Sequence, residues 1–313
     1  MIYAVWVPLL MPLLVAPAAR WLAELLAPRQ AVRLLTAAAV TLGGCSVSAL
    51  GLLAVAGLLR LPPVAAVGRL IHPVSDEGPA TAVASVAAGA ALAVCATALV
   101  RTVLRQRAEL REARRQAGGG GELAVVRDPA PDAYALPGRP GRIVVTTGML
   151  RALTPAEREA LFAHERAHLT GRHHLFIAVA EVAALCHPAL RGLRAPLGYA
   201  LERCADEAAA GAVGDRSLAA RAIGRAALAA HRGAAARPGL VLAATAGPVP
   251  RRVAALLGHR PAGTGHPVWR GRAAQGLAAA LLICLSLSAG GALDAATDLH
   301  GGIEAAQAGA GHR

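Results

Sequence analysis

The chain has 313 residues, 55% of them hydrophobic and 16% charged, and its mean hydropathy of +0.48 is too apolar for an ordinary water-soluble domain. The formal net charge of +13 does not mark a nucleic-acid binder: all 32 basic residues are arginine, and the aromatic side chains on which bases stack make up only 3%. The five cysteines, Cys45, Cys95, Cys186, Cys204 and Cys284, are odd in number and form no C-x-x-C pair, so they suggest apolar filler rather than a disulfide framework or a cysteine metal site.

Four segments, residues 2–19, 34–59, 80–100 and 273–292, are apolar and long enough to span a bilayer. The first contains Pro8, Pro12 and Pro17, which membrane helices tolerate because lipid offers the backbone few alternatives to helical bonding. Ala16-Pro17-Ala18 imitates a signal-peptide cleavage site, but no Lys or Arg precedes the apolar run, so a retained span is the better reading. Small residues such as Gly43, Gly44, Ser46 and Ser48 would let the spans pack closely. Arginines set the expected orientation. Arg20, Arg29 and Arg33 follow the first segment and six arginines between 101 and 115 follow the third. The second connection has Arg60 and Arg69 beside Asp76 and Glu77. The positive-inside rule then places residues 101–272 in the cytoplasm. The arginine run 101–115 lies where anionic lipid headgroups account for it, and no direct nucleic-acid binding is expected.

The large loop opens with an arginine-rich helical extension and a GGGG hinge at 118–121, followed by two β-type runs, LAVV from Leu123 and RIVVT from Arg142, around a Pro/Gly-rich turn. A helix then begins with clear punctuation: Thr154 as N-cap, Pro155 at the first helical position and Glu157 completing a capping box. It should stop near Gly171. An apolar helical stretch, 175–190, is too short to span and either joins a core or lies against the membrane. A third helix covers 200–210 and holds Glu202 and Asp206. Beyond residue 211 the Ala- and Arg-rich loop shows no readable pattern.

The chemistry concentrates in LFAHERAHLTGRHH, residues 161–174. His164 and His168 are four apart on a helix and face one way, so both imidazoles can bind one zinc ion, with Glu165 beside them as general base toward the attacking water. Two third ligands compete. His174 completes H-E-x-x-H-x-x-G-x-x-H, the metzincin pattern, but that clan needs a methionine after the motif, and Met1, Met11 and Met149 all precede it. Glu202, with Asp206 one turn on, offers a carboxylate ligand and a second carboxylate to orient a ligand histidine. The balance favours Glu202 over His174, and Glu181 is a more distant candidate. The group steadying the oxyanion stays open, with Tyr199 or an arginine as candidates.

Residues 140–210, through RIVVTTGMLRALTPAEREALFAHERAH, CHPAL and ERCADEAA, resemble the integral-membrane gluzincins. These are the HtpX-like and CAAX-prenyl-protease-like peptidases, and especially the protease part of the BlaR/MecR-type antirepressor receptors. The resemblance implies a mainly α integral membrane protein with about four transmembrane helices. A cytoplasmic α+β zincin-like protease domain would sit between spans three and four. The chain then divides into 1–117, a three-span region; 118–272, the protease domain; and 273–313, the fourth span with a short outer tail. It also implies His164, His168 and Glu202 as Zn2+ ligands, Glu165 as general base and Asp206 behind them, with RIVVT as the sheet edge that pairs with an extended substrate. The implied function is a zinc endopeptidase in the bacterial plasma membrane. Its substrate would be a cytoplasmic or membrane-proximal protein, either a transcriptional repressor or, as for HtpX-like enzymes, misfolded membrane proteins. Without lysine, the penicillin-binding S-x-x-K sensor of the receptors is not expected. A non-catalytic membrane scaffold with a relic zinc site is the alternative from another class.

Overall fold

A computed structural model describes residues 2–67, 79–118, 120–231, 248–258 and 268–308. Arg69, Asp76, Glu77 and Gly119 lie outside the described residues. The chain is mainly helical, and its elements follow one another closely. α1 (Ile2–Leu25) stays helical through its three prolines, and α2 (Pro28–Leu58) starts with Pro28 in its first turn. That start lies ahead of the apolar run, so Arg29 and Arg33 belong to the helix. After the short α3 (Pro62–Val67), α4 (Pro79–Gln116) joins the third apolar segment and the arginine extension in one helix. β1 (Leu123–Val126), β2 (Ala133–Leu136) and β3 (Arg142–Thr146) form a small sheet. α5 (Thr147–Ala152), α6 (Pro155–Thr170) and α7 (His173–Cys186) follow. A 3-10 turn, Pro188–Leu193, leads into α8 (Arg194–Val213), α9 (Arg216–Ala230), α10 (Val249–Leu257) and α11 (Val268–Ala308).

Four helical stretches are long and apolar enough to cross a membrane: Ala4–Leu25, Pro28–Leu58, Thr81–Gln116 and Gly271–Gln307. α7, at 14 residues, is not. It packs against α2 and the 3-10 turn instead, with Ala180, Ala183 and Ala184 buried.

The sheet corrects one expectation. β3 is not an edge: the order is β1-β3-β2, with β1 parallel and β2 antiparallel to β3. β2, within what sequence alone reads as a turn, supplies the edge beside α6. The expected GGGG hinge is also fastened. Gly118, Gly120 and Gly121 adopt φ of 67°, 101° and 67°, a region that favours glycine. The Arg142 guanidinium donates to the carbonyls of Ala117, Gly118, Gly120 and Gly121.

The largest apolar core runs across the three parts of the chain. Val15, Ala19 and Leu22 of α1, Val32, Leu35 and Leu42 of α2, Leu197 and Leu201 of α8, and Leu281 of α11 bury one another. The end of α1 is tied down at two further points. Arg203 donates to the carbonyls of Ala23 and Leu26 at 3.0 and 3.4 Å, satisfying acceptors that a helix end leaves open, and Arg251 pairs with Glu24 at 2.9 Å. The C-terminus of α1, the N-terminus of α2 and the sheet-bound end of α4 therefore share the side of the bundle that carries α6 and α8.

Candidate metal centre

α6 starts as its sequence dictates. The Thr154 hydroxyl accepts from the Glu157 N–H, and the Glu157 carboxylate accepts from the Thr154 N–H at 3.0 Å. The phase so set buries His164, Glu165 and His168 on one face. α8 crosses this face and brings in Glu202 and Asp206, themselves one turn apart and buried.

The ring nitrogens Nε2 of His164 and His168 face each other at 3.1 Å. One Glu202 oxygen lies 3.6 Å from the first and the other 3.6 Å from the second. Four ligands on a tetrahedral zinc at ~2.0–2.1 Å stand about 3.3 Å apart, so these separations, with one donor atom from each of the three residues within 4.8 Å of the others, are close to those of one face of such a site. The Glu202 carboxylate accepts no aligned hydrogen bond, although it is fully buried. Arg252 pairs with one of its oxygens at 2.7 Å, and a cation at the focus of the three groups would satisfy the other. The donor set therefore fits a zinc ion.

Neighbouring groups orient these three. His164 Nδ1 lies 3.1 Å from Asp206 Oδ1 at an oblique angle. Burial would lower the His164 pKa, but the Asp206 and Glu202 carboxylates prevail and raise it to about 9. Burial, with the charges of His164, His173 and Arg252, holds His168 well below the usual histidine range. His168 Nδ1 meets His173 Nδ1 at 2.7 Å with the rings edge to face. With the shared proton on His168 Nδ1, the Nε2 lone pair of His168 would face the common focus. Gly171 allows this contact, because a Cβ there would fall 2.5 Å from His173 Nε2. Gly171 itself has φ −75°, and the left-handed residue that turns the chain is Arg172, at φ 50°.

Arg252 of α10 is the other residue that sequence reasoning missed. Fully buried, it donates to both Asp206 oxygens at 2.6 and 2.8 Å and pairs with Glu202 at 2.7 Å. Burial alone would lower its pKa; Glu202, Asp206 and Glu165 together raise it. Burial likewise works against the charged form of Asp206, but Arg252 and His164 bring its pKa below the ordinary value. One signal was available: two carboxylates on one buried helical face need a cation besides the metal.

The other candidates fall elsewhere. His174 lines an outer cavity with Arg139, Arg166 and Arg172. Glu181 pairs with Arg194. Tyr199 packs in the apolar core with its ring toward Arg203. Among the described residues, the one group of three metal-binding side chains is His164, His168 and Glu202.

Known proteins bear on this arrangement. The model of Peptidase family M48 matches residues 96–260, just over half of the chain. A stretch of 62 residues, 19% of the chain, is 39% identical to "Protease HtpX homolog 2" of Methanosarcina acetivorans. That stretch spans about a fifth (21%) of the relative's length. No solved structure matches the chain.

Proposed function

The chain belongs to peptidase family M48, and from that premise we propose that it is a multi-pass membrane zinc endopeptidase acting on cytoplasmic or membrane-proximal proteins. The observation that carries this reading is the convergence of His164 Nε2, His168 Nε2 and the Glu202 carboxylate beside Glu165, at spacings that suit one zinc ion. When bound, the ion would polarise the scissile carbonyl and raise the acidity of the attacking water. His164, His168 and Glu202 would hold it. Glu165 would take the proton of the water and pass it to the leaving amine. Asp206 and His173 fix the two imidazoles, and Arg252 holds Glu202 and Asp206 in place. β2 is the strand along which an extended substrate would add, since it is the sheet edge lying along α6.

Two substrate classes remain within this reading. The local likeness to a protease HtpX homologue supports turnover of membrane proteins. The order of three spans, protease region and fourth span supports a regulatory BlaR/MecR-type protease cleaving a transcriptional repressor. The arginine asymmetry supports a protease side in the cytoplasm, and on this reading the chain resides in the bacterial plasma membrane.

The deciding experiment is metal analysis and cleavage of an unfolded protein by detergent-purified chain. Wild type is expected to carry stoichiometric zinc, and Glu202→Ala to lose it. Glu165→Gln should keep the metal while cleavage falls by about 10²–10⁴-fold. Undiminished cleavage by Glu165→Gln, or zinc-free wild type, would overturn the assignment and favour a non-catalytic membrane scaffold.

A further inference from the structure

A second cavity, with two arginines in a largely apolar wall, lies behind the metal centre, where the apolar helices meet the protease region. It measures about 250 Å³, and α2, α6, α7 and α8 all contribute to its wall. Arg29 and Arg33 project from the first turns of α2, one turn apart on the same face. Cys204 and Ala208 of α8 and His173 and Phe176 of α7 are also in the wall. No Asp or Glu lines it among the described residues. Neither Arg29 nor Arg33 has an ion-pair or hydrogen-bond partner among them. The nearby Arg203 is occupied by the α1 carbonyls, and Glu207 is bound by Arg216.

Like charges one helical turn apart repel, and an anion between them reverses that cost. The first turn of α2 adds unbonded N–H groups, for Ala27 provides no side-chain cap. The volume is below the range of drug-sized ligands but sufficient for a phosphate ester. The location narrows the source. The α1–α2 connection joins two stretches long and apolar enough to cross a membrane, and the two arginines precede the apolar run of the second, so the membrane reading would set them at headgroup depth, where basic pockets between membrane helices bind anionic headgroups.

We propose that this cavity binds the phosphate of an anionic phospholipid, held by Arg29 and Arg33. The headgroup would rest on α6 and α8, the helices bearing His168 and Glu202, with His173 in its wall. The site rests on the membrane reading and not on peptidase activity, so it can be tested on the full chain without zinc.

The experiment is native mass spectrometry of the detergent-solubilised chain with phosphatidylglycerol or phosphatidylcholine. Wild type should retain the first phosphatidylglycerol in preference to phosphatidylcholine. Arg29→Gln/Arg33→Gln should bind it at least about tenfold more weakly. Ala208→Trp fills the opposite wall without removing charge and should have the same effect, whereas Arg107→Gln/Arg111→Gln, equally basic but outside the cavity, should not. Equal retention of the two lipids overturns the proposal. So does equal phosphatidylglycerol binding by Arg29→Gln/Arg33→Gln and wild type, which would mean diffuse attraction to the arginine belt. Displacement of the lipid by millimolar inorganic phosphate would reassign the site to free phosphate and overturn the lipid assignment.

Discussion

His173 shows how a single side chain sets the chemistry of its neighbour. Its Nδ1 lies 2.7 Å from His168 Nδ1, and as acceptor from that nitrogen it would leave the opposite nitrogen of His168 free for a metal; partners of this kind change metal affinity by about 10–100-fold. His173→Phe keeps an aromatic ring, a somewhat larger one, and removes the ring nitrogen, so zinc affinity should fall by about that factor while the fold survives. Gly171→Ala should weaken zinc in the same way, because the new Cβ displaces the His173 ring. Competition titration with a zinc-chelating dye reads both; unchanged affinity in His173→Phe would reduce the histidine contact to packing. Glu202 and Asp206 are legible in sequence because both lie on one helical face. His173 is less so, since nothing in GRHH tells which histidine turns inward. Arg252 is one arginine among 32, and its partner Asp206 lies 46 residues away.

At the scale of elements, α6 was the most legible, because its start is fixed by short-range chemistry. Glu157 is buried and accepts from Thr154 N–H, the Thr154 hydroxyl and Arg225. Burial alone would raise its pKa; these donors outweigh it and leave it lowered. A lowered folded pKa means that the carboxylate adds stability above the unfolded value of about 4.3 and loses it as pH falls through the folded one. Glu157→Gln should therefore cost about 1–3 kcal/mol at pH 7, with the difference from wild type vanishing in acid below the folded pKa. Thermal unfolding across pH in detergent checks this; a pH-independent difference would locate the loss in packing instead. Strands were harder to read. β2 is four residues, AYAL, inside a Pro/Gly-rich stretch, and it exists because β3 offers it a partner, which no local pattern reveals. Composition marks where the helices end less sharply than helix geometry does: α2 begins ahead of its apolar run and α4 continues beyond its own, each through arginine-bearing turns.

At the scale of the whole molecule, composition separates membrane segments from a polar loop, but packing joins them. Leu190, Leu193, Leu197 and Leu201, around the start of the helix that bears Glu202, are fully buried in a core whose other side is α1 and α2. Burial of a leucine contributes about 1.5–3 kcal/mol, so uncovering four costs on the order of 6–12 kcal/mol, as much as a typical domain's entire stability. Arg203 and Arg251 add to the dependence, because they fasten the end of α1 to positions adjacent to Glu202 and Arg252. The polar loop excised as residues 118–272 should therefore not form the metal centre in water. Its α8 would lose the surface against which it is positioned, and Glu202 with it. The fragment is expected to aggregate or remain zinc-free, whereas the full chain in detergent binds the metal at the same free zinc concentration. A soluble, monomeric 118–272 fragment holding stoichiometric zinc would show that the spans only anchor the site. Failure of the fragment alongside a competent full chain would make the spans part of the site's own fold, so that displacement of α1 would be felt at Glu202.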